Sequence, residues 1–342
     1  MDLYSTDELI GMVAALDAPS SPLLNLFFTK QMEFDTEEVY IDKVDTARRL
    51  APFVSPLVAG RAERSRGFTT RSFKPAYVKP KHIVEPSKAL KRRAGERLTG
   101  TMTPAERFDA ATVDNLQLEE DQITRREEWM ASELLRTGSV TVSGEDYPSQ
   151  SVDLGRDATH TKALTLTARW GESGVSPYTD VKTWATQVAK KSGAHPGTVV
   201  MDPLACDLFQ KDAEVRSVLD NRRQNSGNFD MLGRANGAQG EELVYIGSIG
   251  QFEIYQYSNV YSLDDGTAAN LMPDYTVIMG SRNLCEGWRL YGAIQDKGAL
   301  RGMARFPKMW DTQDPSAVFT MTQSAPLPIL GRPDATLCAT VR

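Results

Sequence analysis

The chain has 342 residues, of which 41% are hydrophobic, 25% are charged and 8% are aromatic. This composition predicts a folded protein with a buried core and argues against wholesale disorder. The longest apolar runs are far shorter than the roughly 20 residues that a membrane span needs. The first ten residues, MDLYSTDELI, are acidic and polar and lack the features of a secretory signal, so we expect the protein to be made and kept in a cytoplasm.

The net charge of −6 hides a strong asymmetry. Between Lys43 and Arg97 there are 15 Lys and Arg against 4 Asp and Glu, a local charge of +11. The rest of the chain has 24 Lys and Arg against 41 Asp and Glu, a charge of −17. This split suggests that the basic segment of one copy contacts the acidic surface of another, or that it contacts a polyanion. A solvated basic loop is the simpler alternative.

The N-terminal region is predicted to hold a short helix and an apolar strip. Ser5 and Glu8 have the spacing of a capping box, and the helix should end at Asp17–Pro19. An isolated apolar strip inside a polar arm needs a surface that covers it, so we expect it to contact a neighbouring subunit. The strip consists of Leu23, Leu24, Leu26, Phe27 and Phe28.

Residues 34–90 have the pattern of extended structure, because five prolines between 52 and 86 exclude a long helix. Gly60 and Gly67 suggest a hairpin tip. A two-stranded ribbon of this length is marginally stable alone in water, so we expect it to lie on a neighbour. The basic residues predicted to make that contact are Arg61, Arg64, Arg66, Arg71 and Lys74.

The clearest element is a long helix over residues 104–137. Thr103 is the predicted N-cap, Pro104 takes the first helical position, and Glu106 completes a capping box. Nothing interrupts the pattern before Gly138, which suits a left-handed C-cap. At about 1.5 Å per residue, the helix spans about 51 Å, and its single narrow apolar stripe predicts that it lies along a flat sheet.

After the long helix, the pattern predicts mostly strands, then alternating helices and strands from Tyr178, then strands again after Gly287. Residues 225–240 are rich in Gly and Asn and predict a mobile loop. The predicted strands are 140–142, 152–154, 164–166, 198–201, 243–246, 252–257, 275–280, 289–294, 319–323 and 336–341. The predicted helices of this region are 178–192 and one from about 203 to 212.

A search for reactive constellations gives no catalytic, cofactor-binding or metal-binding residues. The chain lacks the phosphate-loop, dinucleotide, nucleophile-elbow and zinc-helix motifs. Its three histidines, His82, His160 and His195, are not at ligand spacing from one another. Cys206, Cys285 and Cys338 are far apart and are expected to be reduced, mostly buried thiols. We therefore predict a protein that is not an enzyme.

Nine short stretches, in order along most of the chain, resemble the major capsid proteins of lambda-like tailed bacteriophages. They are FFTK at 27–30, EVYI at 38–41, FVSPLVAG at 53–60, RSRG at 64–67, YVKPKH at 77–82, DP at 202–203, RLYGAIQD at 289–296, ARFPK at 304–308 and FTMTQSAPL at 319–327.

The resemblance implies an α+β fold of the Hong Kong 97 type. Its expected parts are an N-terminal arm (1–34), an extended β-hairpin loop (35–90), a peripheral domain (91–177 and 286–342) with the spine helix 104–137, and an axial domain (178–285). The loop 225–240 would lie near the capsomer axis. The loop of one subunit would overlie its neighbour and meet acidic side chains there, with Glu119, Glu120 and Glu128 as candidates.

The implied function is self-assembly into hexamers and pentamers that form the icosahedral head around a double-stranded DNA genome. The implied partners are copies of the chain, a scaffold protein, a portal, a decoration protein at three-fold positions, and packaged DNA contacted non-specifically at the inner surface. No membrane contact and no covalent crosslinking are expected. The protein would be found in the virion after assembly in the cytoplasm of a bacterial host.

Two other functions fit parts of the sequence. A nucleic-acid-binding protein would use the basic segment 43–97, although few aromatic residues are interleaved with its basic residues. A cellular nanocompartment shell of the same fold would enclose enzyme cargo instead of DNA.

Overall fold

A computed structural model of the chain describes residues 3–16, 19–44, 50–51, 53–59, 67–94, 96, 102–144, 147–217, 242–263, 266–314 and 316–342. The predicted loop 225–240 and the predicted contact residues Arg61, Arg64 and Arg66 lie outside these ranges. The helices are α1 (Thr6–Ala15), α2 (Pro22–Phe27), α3 (Pro86–Leu90), α4 (Pro104–Thr137), α5 (Pro177–Ser192) and α6 (Pro203–Lys211).

The strands follow the predicted order but are more numerous than predicted. They are β1 (Lys30–Glu33), β2 (Val39–Val44), β3 (Phe68–Phe73), β4 (Lys81–Val84), β5 (Ser139–Gly144), β6 (Tyr147–Asp153), β7 (Thr161–Ala163), β8 (Thr198–Met201), β9 (Leu243–Ile249), β10 (Phe252–Tyr257), β11 (Val260–Ser262), β12 (Ala268–Asn270), β13 (Thr276–Gly280), β14 (Gly287–Tyr291), β15 (Phe306–Thr312), β16 (Ala317–Gln323), β17 (Pro326–Leu330) and β18 (Thr336–Thr340).

Helix α4 has the predicted bounds and the predicted caps. The Thr103 side chain accepts from the Glu106 amide, and the Glu106 carboxylate accepts from the Thr103 amide. Gly138 ends the helix in the left-handed conformation with φ +81°. The guanidinium of Arg156 donates to the carbonyl oxygens of Leu135, at 2.6 Å, and of Arg136. These bonds satisfy carbonyl groups that a helix end leaves without partners.

A six-stranded sheet, in the order β7-β18-β13-β8-β10-β9, forms one half of the core. The residues of β8 and β13 are buried throughout, as the continuous apolar sequence of each strand indicates. Trp170 stacks on Trp184 with ring centroids 6.0 Å apart, next to Phe209 of α6. The C-terminal strand β18 lies inside this sheet and pairs with β13. The segment predicted as peripheral therefore shares a sheet with the segment predicted as axial.

Smaller sheets surround α4. Strands β15, β16 and β4 form an antiparallel sheet whose inner face packs on the first half of the helix. Strands β1, β14 and β17 form a second sheet, in which the N-terminal strand β1 runs parallel to β14. The predicted hairpins are present as β2–β3 and β5–β6.

One predicted strand, 164–166, is wrong. The strand is β7, which ends at Ala163, and Leu166 begins a 3-10 turn with φ +50°. Strand β7 pairs only with β18 among the described strands, and that partner lies more than 170 residues further along the chain. The register is thus set by a distant strand and not by the local alternation of apolar residues.

Candidate assembly surfaces

The apolar strip of the N-terminal region is buried within its own chain. Leu23, Leu24, Leu26, Phe27 and Phe28 belong to the same core cluster as Met130 and Leu134 of α4. This corrects the prediction that the strip is presented to a neighbouring subunit. The strip folds as helix α2, and α4 supplies the surface that covers it.

Glu128 of α4 holds this arm in place. Pro22 has no amide hydrogen, so the first free amides of α2 are those of Leu23 and Leu24. They donate to the two carboxylate oxygens of Glu128 at 2.7 and 3.1 Å, and the Tyr257 hydroxyl donates to the same carboxylate at 3.1 Å. Burial raises the pKa of Glu128 to about 7, while the three donors oppose that rise. Glu128 therefore joins the arm, the spine helix and β10.

Arg289 adds a second attachment of the arm. Its guanidinium donates to the carbonyl oxygen of Phe28 at 2.8 Å and to the side chain of Asn25 at 2.7 Å. Gly287, at the start of β14, lets the arm approach closely, because a Cβ atom there would lie 2.0 Å from the Phe27 carbonyl oxygen.

Glu119 is buried beneath the sheet of β4, β15 and β16. It accepts hydrogen bonds from the hydroxyls of Thr320 and Thr322, both at 2.7 Å, and lies 3.3 Å from His82. Burial raises the pKa of Glu119, against the effect of the two threonine hydroxyls. This carboxylate has no surface available for a neighbour's arginine.

Glu120 is also buried, and it shares Arg305 with Glu127. The guanidinium donates to each carboxylate at 2.6 Å and to the Thr124 hydroxyl at 3.1 Å. Burial lowers the pKa of Arg305, but Glu127 and Glu120 outweigh that effect and raise it overall. The prediction that Glu119, Glu120 and Glu128 meet a neighbour's basic loop is therefore wrong, since all three are used inside their own chain.

Four partners of these carboxylates were not predicted from the sequence: Arg305, His82, Thr320 and Thr322. A signal was present, because the acidic pairs at 119–120 and 127–128 recur eight residues apart on a helix and so share a face. The alternation of Thr320 and Thr322 along β16 places both hydroxyls on one side of the sheet.

Arg71 and Lys74 are the described members of the predicted basic contact set. Both lie on or just after β3, near the base of the hairpin, and their side chains are partly exposed. Arg71 donates to the carbonyl oxygen of Asp153 at 2.7 Å, and Lys74 forms an ion pair with Glu37. The structure does not bring either residue to Glu119, Glu120 or Glu128.

The described residues contain no group of three His, Cys, Asp or Glu side chains placed to hold a metal ion. The three cysteines are buried and form no disulfide, and burial raises the pKa of each to about 11. Among the described helices, none has the combination of length and apolar character that a membrane crossing requires.

The fold matches that of phage capsid proteins. A prophage capsid protein of Escherichia coli CFT073 superposes with a TM-score of 0.78 at 23% identity, covering 100% of both chains. The capsid of Ralstonia phage GP4 matches with a TM-score of 0.52 at 12% identity, covering 99% of this chain and 94% of that one. The predicted Hong Kong 97-type capsid class is thus confirmed.

Sequence comparison specifies the family. The family model described as phage major capsid protein E matches residues 5–341. The major capsid protein of Escherichia phage lambda is 34% identical over 339 residues, 98% of each chain, and that of Escherichia phage N15 is 33% identical over the same length and coverage. The chain belongs to the phage major capsid protein E family. Its relatives are structural proteins of the virion, and the predicted capsid-shell function is confirmed.

Proposed function

We propose that copies of this chain assemble as hexamers and pentamers into an icosahedral head that encloses double-stranded DNA. The observation that supports this most strongly is the 34% identity to the lambda major capsid protein over nearly the whole of both chains. Assembly would take place in the cytoplasm of a bacterial host, with a scaffold protein and a portal. A decoration protein would bind at three-fold positions, and packaged DNA would touch the inner surface non-specifically. We propose no enzymatic role and no covalent crosslink between subunits.

The role proposed for each segment follows its predicted bounds. Residues 1–34 act as the arm, 35–90 as the extended loop, 91–177 with 286–342 as the peripheral domain, and 178–285 as the axial domain. Strands β7 and β18, from the proposed peripheral segments, pair into the same sheet as β13 of the proposed axial segment. Glu128 of the spine helix accepts hydrogen bonds from the arm of its own chain, so we propose that the extended loop, and not the arm, reaches a neighbour.

The basic residues of the loop, Arg61, Arg64, Arg66, Arg71 and Lys74, are proposed to face acidic surface on that neighbour. The charge of +11 on residues 43–97 and of −17 on the remainder supports this pairing. Each exposed ion pair contributes only ~0–1 kcal/mol. Because the contacts are repeated over the shell, many weak ion pairs together stabilise it. The weakness of each contact also lets a misplaced subunit dissociate before it is trapped.

Reversing three loop charges tests the proposal. In the variant R61E/R64E/R66E we expect a folded subunit that forms no shells, seen by negative-stain microscopy and by sedimentation. A matched control makes the same charge change on α5 and α6, as K182E/K190E/K211E, and should still assemble. Normal particles from the loop variant, or equal loss of particles in both variants, would contradict a specific role of the loop.

A further inference from the structure

Strands β2 and β3 form a narrow ribbon that carries the extended loop away from the body of its subunit. The last strand pair at the base of the ribbon is Val39 with Phe73, and both side chains pack in the core cluster that includes α4. Beyond this base the side chains are open to solvent. Tyr40 is 71% exposed, and Phe53 and Leu57, in the segment that connects the two strands, are fully exposed. The direction of the ribbon therefore depends on contacts made at its base.

A small change of angle at the base is amplified along the ribbon. Val44, at the far end of β2, lies five residues beyond Val39, a distance of about 17 Å at about 3.4 Å per residue. A rotation of about 10° at the base would shift this end by about 3 Å. Because a hydrogen bond between nitrogen and oxygen is itself about 3 Å long, charged side chains carried further along the loop would then miss their partners.

The first polar contact at the base joins the two ends of the ribbon just below its last strand pair. Lys74 follows Phe73, and its ammonium forms an ion pair with Glu37, two residues before Val39. Glu37 also accepts a hydrogen bond from the side-chain amide of Gln295 at 3.4 Å, which connects the pair to the segment after β14. Lys74 lowers the pKa of Glu37, so the carboxylate stays ionised at neutral pH.

The second polar contact joins β3 to the turn that follows β6. Arg71 donates to the backbone carbonyl oxygen of Asp153 at 2.7 Å and lies 3.6 Å from one oxygen of the Asp153 carboxylate. The other carboxylate oxygen accepts from the Gly155 amide at 2.8 Å, and Gly155 has a φ of +65°, so the turn is already formed. The Leu154 amide donates to the carbonyl oxygen of Gly138, the C-cap of α4, at 3.1 Å. Arg71 thus connects the ribbon to the end of the spine helix.

We propose that Arg71 and Lys74 act on assembly as positioning residues, which set through these two contacts the angle at which the extended loop leaves its own subunit. The side chains of both pairs are largely exposed, so the pairs contribute little to folding and act on orientation. The inference rests on the proposed function, since a misdirected loop matters only in a shell made of copies. It also narrows that function, because it leaves direct contact with the neighbour to the other three basic residues of the set.

The pair of Lys74 and Glu37 distinguishes positioning from direct contact. E37K adds a positive charge to the loop, so a loop that only attracts an acidic neighbour should assemble at least as well as the parent. If the pair positions the loop, E37K should instead raise the subunit concentration needed for assembly by ~10-fold, and K74E should have the same effect. The exchange E37K/K74E restores the ion pair and should bring this concentration back to within ~3-fold of the parent value.

Three outcomes of this comparison would overturn the proposal. One is assembly of E37K at the parent concentration. Another is an exchange variant as defective as K74E, which would mean that Lys74 contacts the neighbour itself. The third is an equal loss in the control R332D, which breaks a comparably exposed pair with Glu286 and should assemble like the parent. Urea unfolding of the subunit should be nearly the same in all these variants, so that a loss of shells reports on assembly.

Arg71 is tested by removing its contact in two steps. In D153N the backbone carbonyl oxygen and an oxygen that can accept from Gly155 both remain, so only the charge of the partner is lost. We expect this variant to raise the concentration needed for assembly by ~3-fold, and R71M, which removes both bonds, by ~10-fold. A D153N variant more defective than R71M would contradict an action of Arg71 through this turn.

Spin labels measure the angle of the loop directly in the unassembled subunit. They are placed at L57C, in the segment that connects β2 to β3, and at K190C on α5, and the native cysteines are buried. We expect one narrow distribution of label distances in the parent, a broader or shifted one in R71M and in E37K, and a restored one in E37K/K74E. Unchanged distributions in R71M and E37K would overturn the proposal even if shells are lost. Failure of the unmodified chain to form shells would instead refute the proposed function and would leave this measurement within one chain unaffected.

Discussion

At the scale of single residues, α4 is notable for the carboxylates that it buries. Glu119, Glu120 and Glu128 were candidates for contact with a neighbour's basic loop, a role that requires exposed carboxylates. Their partners come from distant parts of the chain, with Arg305 185 residues from Glu120 and Thr320 201 residues from Glu119. The spacing of the acidic pairs indicates that they share a helix face, but the partners are brought there by long-range packing, so their identity was not predictable from the sequence.

Removing Arg305 should show how much the buried charges depend on it. R305M leaves Glu120 and Glu127 buried without their counter-charge, and we expect the free energy of unfolding to fall by about 3–5 kcal/mol in urea denaturation of the dissociated subunit. R332M is the control, because its pair with Glu286 is largely exposed and should cost ~0–1 kcal/mol. Comparable small losses in both variants would contradict a compensating role for Arg305.

Glu128 makes the stability of the arm dependent on pH. Its pKa is about 7 in the folded chain against 4.5 for an ordinary glutamate, so the folded chain binds the proton more tightly than the unfolded chain does. The resulting stabilisation is fully present below about pH 4.5 and is lost as pH rises through 7. Its size is on the order of 3 kcal/mol, at about 1.4 kcal/mol per pH unit.

The measurement is the difference in the free energy of unfolding between the parent and E128Q from pH 4 to pH 8. The glutamine does not titrate, so the parent should lose stability relative to E128Q as pH rises, while contributions from other groups cancel. Arg289 also contacts the arm, and its favourable interaction with the ionised carboxylate limits the loss. Parallel curves for the two proteins would rule out Glu128 as the titrating group.

At the scale of elements, the ends of α4 were predictable because their signals are local. The capping box at Thr103 and the left-handed C-cap at Gly138 involve only residues within one helical turn, so they do not depend on distant parts of the chain. Helix α2 and strands β1 and β17 were missed for the opposite reason. Each is short and packs on a distant segment, as β1 does on β14, so tertiary contacts and not local propensity define it.

Replacing the C-cap glycine should destabilise the spine helix. In G138A the residue must keep a φ of +81°, and its Cβ would lie 2.7 Å from the Cβ of Arg156. We expect a loss of about 2 kcal/mol, from backbone strain and from displacement of the guanidinium that caps the helix. G11A is the control, since Gly11 lies in an exposed helix with open space around it and should stabilise by about 0.5–1 kcal/mol. Equal effects in urea denaturation would refute the capping argument.

At the scale of the whole molecule, the charge asymmetry of the sequence predicts contact between copies. It does not identify which surfaces make that contact. The count of acidic residues in the sequence includes Glu119, Glu120 and Glu128. Their carboxylates bind Arg305, threonine hydroxyls and backbone amides of their own chain. The acidic surface open to a neighbour is therefore formed by other residues, such as Asp114 and Asp121. The packing of the arm and of the sheet on α4 decides which acidic side chains are buried and which stay exposed.

Salt should affect the rate of assembly more than the persistence of finished shells. The Debye length falls from about 10 Å at 0.1 M to about 3 Å at 1 M ionic strength, so steering between the basic loop and the acidic surface is screened. Apolar surface that is buried between copies in a finished shell is not weakened by the same change. In 1 M NaCl we expect the initial rate of light scattering to drop by ~10-fold or more, while preformed particles remain intact by sedimentation.

In the same assay, the charge-reversed variant R61E/R64E/R66E distinguishes electrostatic steering of association from the contacts that keep finished shells intact. If it associates at all at high protein concentration, its rate should not fall with salt, because the attraction that salt screens is already gone. A salt-independent rate in the parent would show that the asymmetry does not steer assembly. Dissolution of finished parent shells by 1 M NaCl would show that ion pairs, rather than apolar contacts, hold neighbouring copies together.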